Sequence, residues 1–215
     1  MKHLMQLIRL GFFVLLIGSG IQSFAQTIAQ HKKNLETSQN PFAYAQQVMK
    51  KKFKVDTVSV LNLNNFMGLA DSLACKGKIG KVYGPFPNNK ILVMVLAKLP
   101  NTFYHIKHIV LDTAVFKGRF ADSLANTISD RILRGTDSFD DMARTYSSDN
   151  QSAVKGGDLG WFAKGAMMPE LDQVIASHRK TDLFKIWSPY GLHIIYLPDA
   201  PKKADGHAML LRIFL

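Results

Sequence analysis

The chain has 215 residues, 47% of them hydrophobic, a formal net charge of +11 and a single cysteine, Cys75. That length allows one good core or two small ones, and one cysteine excludes an internal disulfide, so the fold must stand on its core. The lysines are scattered apart from Lys50-Lys51-Lys52-Phe53-Lys54 and Lys202-Lys203, and no nucleic-acid motif accompanies them. No nucleic-acid partner is expected; the lysines read as a solvated face, and the basic balance favours acidic clients or proximity to an anionic membrane surface.

Lys2 and Arg9 precede an apolar run, Leu10 to Ile21, that is short for a bilayer span, and Ser23-Phe24-Ala25 follows it. We read residues 1–25 as a signal peptide cleaved near Ala25, which makes the protein periplasmic or otherwise exported. The alternative is a membrane anchor left uncleaved. Removal would take the formal charge from +11 to +9. Residues 26–40 are polar without a strong period and read as a loose arm. Pro41 opens a helix whose face is Phe42, Ala45, Val48 and Met49, running through Lys52. Asn64 or Asn65 caps a second helix with Phe66, Leu69, Ala70 and Leu73 inward. Cys75 follows that pattern and is expected to be buried. Tyr83-Gly84-Pro85-Phe86 reads as a turn and Ile91 to Leu99 as a buried strand.

From Phe103 the pattern sharpens. Tyr104 to Leu111 reads as a strand, and Arg119 to Leu133 as a helix with Phe120, Leu124, Ile128 and Ile132 on one face, ended by Gly135. Ser138 caps a shorter helix with Phe139, Met142 and Ala143 inward. Residues 147–157 read as a polar loop. Gly156, Gly157 and Gly160 mark a backbone that turns sharply and delivers Trp161 and Phe162 into a short strand. Pro169 opens a helix with Leu171, Val174 and Ile175, strands follow near 183–187 and 192–197, and Ala208 to Leu215 is an apolar tail suited to an extra strand.

Four motifs stand in order: His108-Ile109-Val110-Leu111; Ser147-Ser148-Asp149 leading to Gly156-Gly157-Asp158-Leu159-Gly160; Gly165-Ala166-Met167-Met168-Pro169; and Tyr190-Gly191-Leu192-His193-Ile194-Ile195. Over about residues 104–198 this set resembles the parvulin family of peptidyl-prolyl cis/trans isomerases. The resemblance implies an α+β fold with a small antiparallel sheet in the order β-α-α-β-α-β-β. A third short helix, usual in the family, would have to lie in the 147–157 loop, which shows no period for it. The resulting division is 1–25 leader, 26–100 accessory region, 101–199 parvulin-like domain and 200–215 tail.

Rotation about an X-Pro amide makes no new bond, and it crosses a barrier of roughly 18–20 kcal/mol. A catalyst needs an apolar cup for the proline ring and polar groups set for the twisted amide. The resemblance puts Leu159, Met167 and Leu171 in the cup with Phe162 behind and Tyr190 nearby. It makes His108, Asp149 and His193 catalytic, the two histidines bonding to one another; Asp149 or Asn150 holds the loop position, depending on a one-residue alignment choice. No cofactor and no metal are expected, since His105 and His108 point to opposite faces of a strand. Asp158 is expected to be a turn residue. Departures from the family are Leu171 in place of Phe, Lys180 and Leu183 in place of Gly and Ser, and Ser188 in place of Thr. Lys117 and Arg119 read as exposed helix-start charges. The partners implied are unfolded or partly folded proline-containing polypeptides. The expected function is an exported foldase for secreted or outer-membrane proteins; the alternative is a catalytically weak, parvulin-shaped holdase.

Overall fold

The computed structural model describes residues 27–87 and 90–215. The leader expected over residues 1–25 lies outside the described residues. Among the described residues no helix is long and apolar enough to cross a membrane. The chain divides into two compact units: one takes in the described residues up to Asp56, Gly77–Ala97 and Met209–Leu215, the other Thr57–Lys76 and Lys98–Ala208. Thr57–Lys76, expected in the accessory region, thus groups with the residues that follow Lys98, and the end of the tail groups with the first unit.

In the first unit the expected loose arm is a helix, α1 (27–37). Its inward face is carried by two residues seven apart, Ile28 and Leu35, which is too sparse a stripe to read from sequence. Polar anchors do the rest. Glu36 accepts from the Val82 N–H and from Lys81 Nζ, both at 2.9 Å, and Lys32 Nζ donates to the Gly84 carbonyl at 2.7 Å. Pro41 opens α2 (Pro41–Ala43), capped by the Asn40 side chain, which runs into a π-helical turn over Tyr44–Val48. The wider turn rotates the expected face, so Ala45 and Met49 are buried while Val48 is 58% exposed. The helix stops short of Lys52, and β1 (Phe53–Ser59) follows.

The expected turn at Tyr83–Phe86 lies instead within a strand, β2 (Val82–Phe86), antiparallel to the start of β3 (Ile91–Asp112). Leu92 and Met94 of β3 meet Leu211 and Ile213 from the end of β7 (Lys202–Phe214), so the tail is a strand as expected.

In the second unit, α3 (Leu69–Lys76) begins after Phe66, and neither Asn64 nor Asn65 caps it. The Asp71 side chain takes the Met67 and Gly68 N–H groups instead. Leu73 and Ala74 are buried, and Cys75 is only half-buried. The two strands expected at 91–99 and 104–111 are one, β3, because Leu99-Pro100-Asn101 stays extended, a conformation proline's fixed φ tolerates. The later part of β3 pairs antiparallel with β4 (Asp158–Ala163) and with β6 (Gly191–Tyr196), and β6 pairs with β5 (Leu183–Ser188).

Alternation along these strands builds two layers of core. Ile109, Leu111, Leu192 and Ile194 pack against α4 (Gly118–Leu133) and α5 (Phe139–Tyr146). Tyr104, Ile106, Ile195 and Leu197 pack against Leu171 and Ile175 of α7 (Pro169–Ser177). Along α4 the expected inward Phe120 is 59% exposed and stacks on Phe116 at 6.1 Å; Ala121, Ala125 and the expected Ile128 take the inner face, the two alanines letting the start of the helix approach the sheet. The polar loop holds the missing third helix, α6 (Asn150–Ala153), one turn long. The expected order is present with that addition.

Ser138 caps α5 as expected, accepting from the Asp141 N–H at 3.1 Å and donating to Asp141 Oδ2 at 2.6 Å. Ser138→Ala should cost about 1 kcal/mol, read as a lower urea midpoint at unchanged m-value.

Candidate active site

His108 and His193 sit on the α7 side of the sheet because they share parity with Ile106 and Ile195. His108 pairs with Ile195 across β3 and β6, and Val110 with His193, which makes the two histidines diagonal neighbours. Their ring centroids lie 5.9 Å apart at 45°. They do not hydrogen-bond to one another, contrary to expectation, because each ring is turned to a nearer partner. His108 Nε2 faces Asp149 Oδ2 at 2.8 Å and Ser152 Oγ at 3.0 Å. His193 Nε2 faces Ser188 Oγ at 2.7 Å, while its buried Nδ1 has no partner among the described residues.

Asp149 is held by the one-turn helix that it caps. Its Oδ1 accepts from the Gln151 N–H at 3.2 Å, and its Oδ2 accepts from Ser152 Oγ at 2.5 Å. Burial alone would raise its carboxyl, but hydrogen bonds from Ser152 and His108 outweigh that and hold it below the ordinary carboxylate range. Burial pushes the His108 imidazole down, and the neighbouring Asp149 only partly offsets this. His193 is pushed down to about 4, by burial first and by the nearby His108 charge second. Both rings are therefore neutral at pH 7, and the acceptors around His108 put its proton on Nε2. Asn150, the other candidate for the loop position, is exposed at the start of α6.

The rings floor a cavity of about 260 Å³. Ile106 and Ile195 rise from the sheet, Leu159 and Phe162 from β4, and Met167, Met168 and Leu171 from the start of α7 and the turn before it. The expected cup residues Leu159, Phe162, Met167 and Leu171 are thus brought together with His108 and His193. Ile106, Ile195 and Met168 were not expected there, although their parity and adjacency in sequence would have found them. Tyr190 lies elsewhere: it is 69% exposed in the turn between β5 and β6 and does not line the cavity. Ser188, read only as a departure, orients His193 and also accepts the Tyr190 N–H at 3.1 Å.

Glycines let the surrounding backbone come close. Gly157, at φ +77°, accepts the His108 N–H at 2.9 Å and leaves no room for a Cβ, which would stand 2.3 Å from the His108 carbonyl oxygen. Asp158 takes the Gly160 N–H at 2.7 Å, the turn role expected of it, and also bonds His105 Nε2 at 2.9 Å. His105 reaches Asp199 with Nδ1 at 2.7 Å, on different partners from His108.

The sequence profile of the PPIC-type PPIase domain matches residues 90–200. Among curated proteins, the chaperone SurA of Pseudomonas fluorescens is 37% identical over 93 residues, covering 42% of this chain and 22% of that one. SurA of Legionella pneumophila is 34% identical over 145 residues, covering 61% of this chain and 33% of that one. The chain therefore spans between a fifth and a third of the length of these relatives. A solved PpiC-type peptidyl-prolyl cis-trans isomerase domain is 30% identical and covers 49% of this chain and 94% of that one, with a TM-score of 0.42. With more than half of its residues matched by the family profile, and with the motifs of the family gathered around one cavity, the chain belongs to the PPIC-type peptidyl-prolyl isomerases, the parvulins.

Proposed function

We propose that this protein catalyses cis/trans isomerisation of X-Pro bonds in exported, partly folded polypeptides. The observation that carries the reading is the apolar cup floored by two buried histidines, with a carboxylate 2.8 Å from one of them. The proline ring enters between Met167, Leu159, Phe162 and Leu171, each buried methylene contributing about 0.8 kcal/mol. The planar amide draws negative charge onto its carbonyl oxygen through resonance, and the twisted amide does not. Asp149, ionised near that oxygen, disfavours the planar form relative to the twisted one and so lowers the barrier. His108 holds Asp149 in place, and His193 keeps the floor uncharged. Leu171 fills less space than an aromatic ring would and leaves the cup wider.

The motifs around the cup support this reading, and the leader-like residues 1–25 support export. Secreted or outer-membrane proteins are the client class that fits an exported foldase. The relatives' name of chaperone supports a second reading, a holdase that grips clients with little turnover. Isomerisation of a short X-Pro peptide by the protein from Gln26 onward separates the two. We expect acceleration well above background, with Met167→Ala lowering kcat/KM about tenfold through loss of the cup wall. No acceleration by the folded protein, together with slowed aggregation of an unfolded client, would replace the isomerase with the holdase.

A further inference from the structure

A second, larger cavity of about 780 Å³ adjoins the cup. The two share Leu159 and Phe162, and the larger one also takes in Asp149 and Ser152, the partners of His108. Its far wall comes from residues 62–65, outside the stretch that matches the family profile. That wall is built into the second unit. The Leu63 N–H donates to the Trp161 carbonyl at 3.1 Å, and the Ala163 N–H donates to the Leu61 carbonyl at 2.9 Å. The Asn62 side chain donates to the Leu159 carbonyl at 3.3 Å and accepts the N–H groups of Asn64 and Asn65 at 2.7 and 3.1 Å. Asn64 Oδ1 accepts the Trp161 N–H at 3.3 Å.

After these bonds are counted, the side-chain amides of Asn65 and Gln151 line the cavity without a hydrogen-bond partner among the described residues. A primary amide offers both donors and an acceptor, as each peptide group of an extended chain does, and it carries no charge to select a side chain. Trp161 stands beside them, its ring held between stacked His105 at 5.3 Å and Lys202 Nζ at 3.7 Å from the centroid.

We infer that this groove binds the extended main chain flanking the proline, so that the length of the client beyond the X-Pro pair sets affinity. Asn65 and Gln151 are the main-chain-binding residues of this groove, whose lining also carries Asp149, Lys155 and Asp158, and its occupant is the extended polypeptide on either side of the proline. The inference rests on the isomerase reading of the cup, but its test does not require turnover.

Binding of two fluorescent peptides is measured by anisotropy: a short X-Pro peptide, and the same peptide lengthened on both sides with neutral residues. The protein from Gln26 onward should bind the longer one about tenfold more tightly, as two or three peptide hydrogen bonds imply. Asn65→Ala combined with Gln151→Ala, both surface truncations, should remove most of that gap. An equal affinity for the two peptides, or a gap that the double variant leaves intact, overturns the groove. Peptides that bind with a length preference but are not isomerised would sustain the groove while the isomerase reading fails.

Discussion

Gly157→Ala should destabilise the protein by about 3 kcal/mol or more, read as a fall in the urea midpoint. Two costs act together. The residue sits at φ +77°, where an L side chain is strained, and the new Cβ would meet the His108 carbonyl oxygen at 2.3 Å and crowd Ala143 and Phe139 at 3.1 Å. None of these is the end of a long, flexible side chain. Gly135→Ala is the matching control: it has a similar φ of +69° but open space around the site, so it should cost only about 1 kcal/mol. If the two variants lost the same stability, the close approach of the Gly157 turn to β3 would not be what that glycine serves. The turn also carries Gly157 O to the His108 N–H, so surviving folded Gly157→Ala protein should have a displaced His108 and weaker activity.

The second large effect is a loss of stability on acidification that traces to His193. Unfolded, this imidazole takes a proton near its ordinary value of 6.5; folded, it resists until about 4. Between those values the unfolded chain binds more protons, so stability is full above about pH 6.5 and falls as the pH drops toward 4. The total loss assigned to His193 is about 3 kcal/mol. His108 acts in the same direction, since burial also lowers its value. Asp149 adds a further loss at still lower pH, where its depressed carboxyl finally protonates. Urea midpoints taken across this range should show the slope in the parent protein and a flatter one in His193→Asn. A variant that kept the full slope would move the effect to other groups.

Much of the catalytic unit was legible because its signals are local. Ordered motifs put His108 and His193 on strands and, through the family resemblance, Leu159, Phe162, Met167 and Leu171 in the cup, while strand alternation, which would have added Ile106 and Ile195, went unused there. What failed to show was set by contacts distant in sequence or by elements too short to have a period. Helix α6 is a single turn held by the Asp149 cap, so no apolar repeat could announce it. Phe120 looked inward because it is large and apolar, whereas the tight contact of α4 with the sheet selects Ala121 and Ala125. The mutual bond expected of the two histidines gave way to Asp149 and Ser188, partners 41 and 5 residues away from the rings they hold. The wall at residues 62–65 could not have been read, since its bonds run to Leu159 and Trp161 nearly a hundred positions later.

The pairing of residues 61–63 with β4 has one more consequence. β4 is hydrogen-bonded to β3 along one side, and on the other the Trp161 carbonyl and the Ala163 N–H are already taken by Leu63 and Leu61. A bare strand border is a template on which any passing extended chain can nucleate a ladder, and from there an aggregate. By occupying that border with its own backbone, the molecule closes this side of β4, next to the cup, to a continuous ladder.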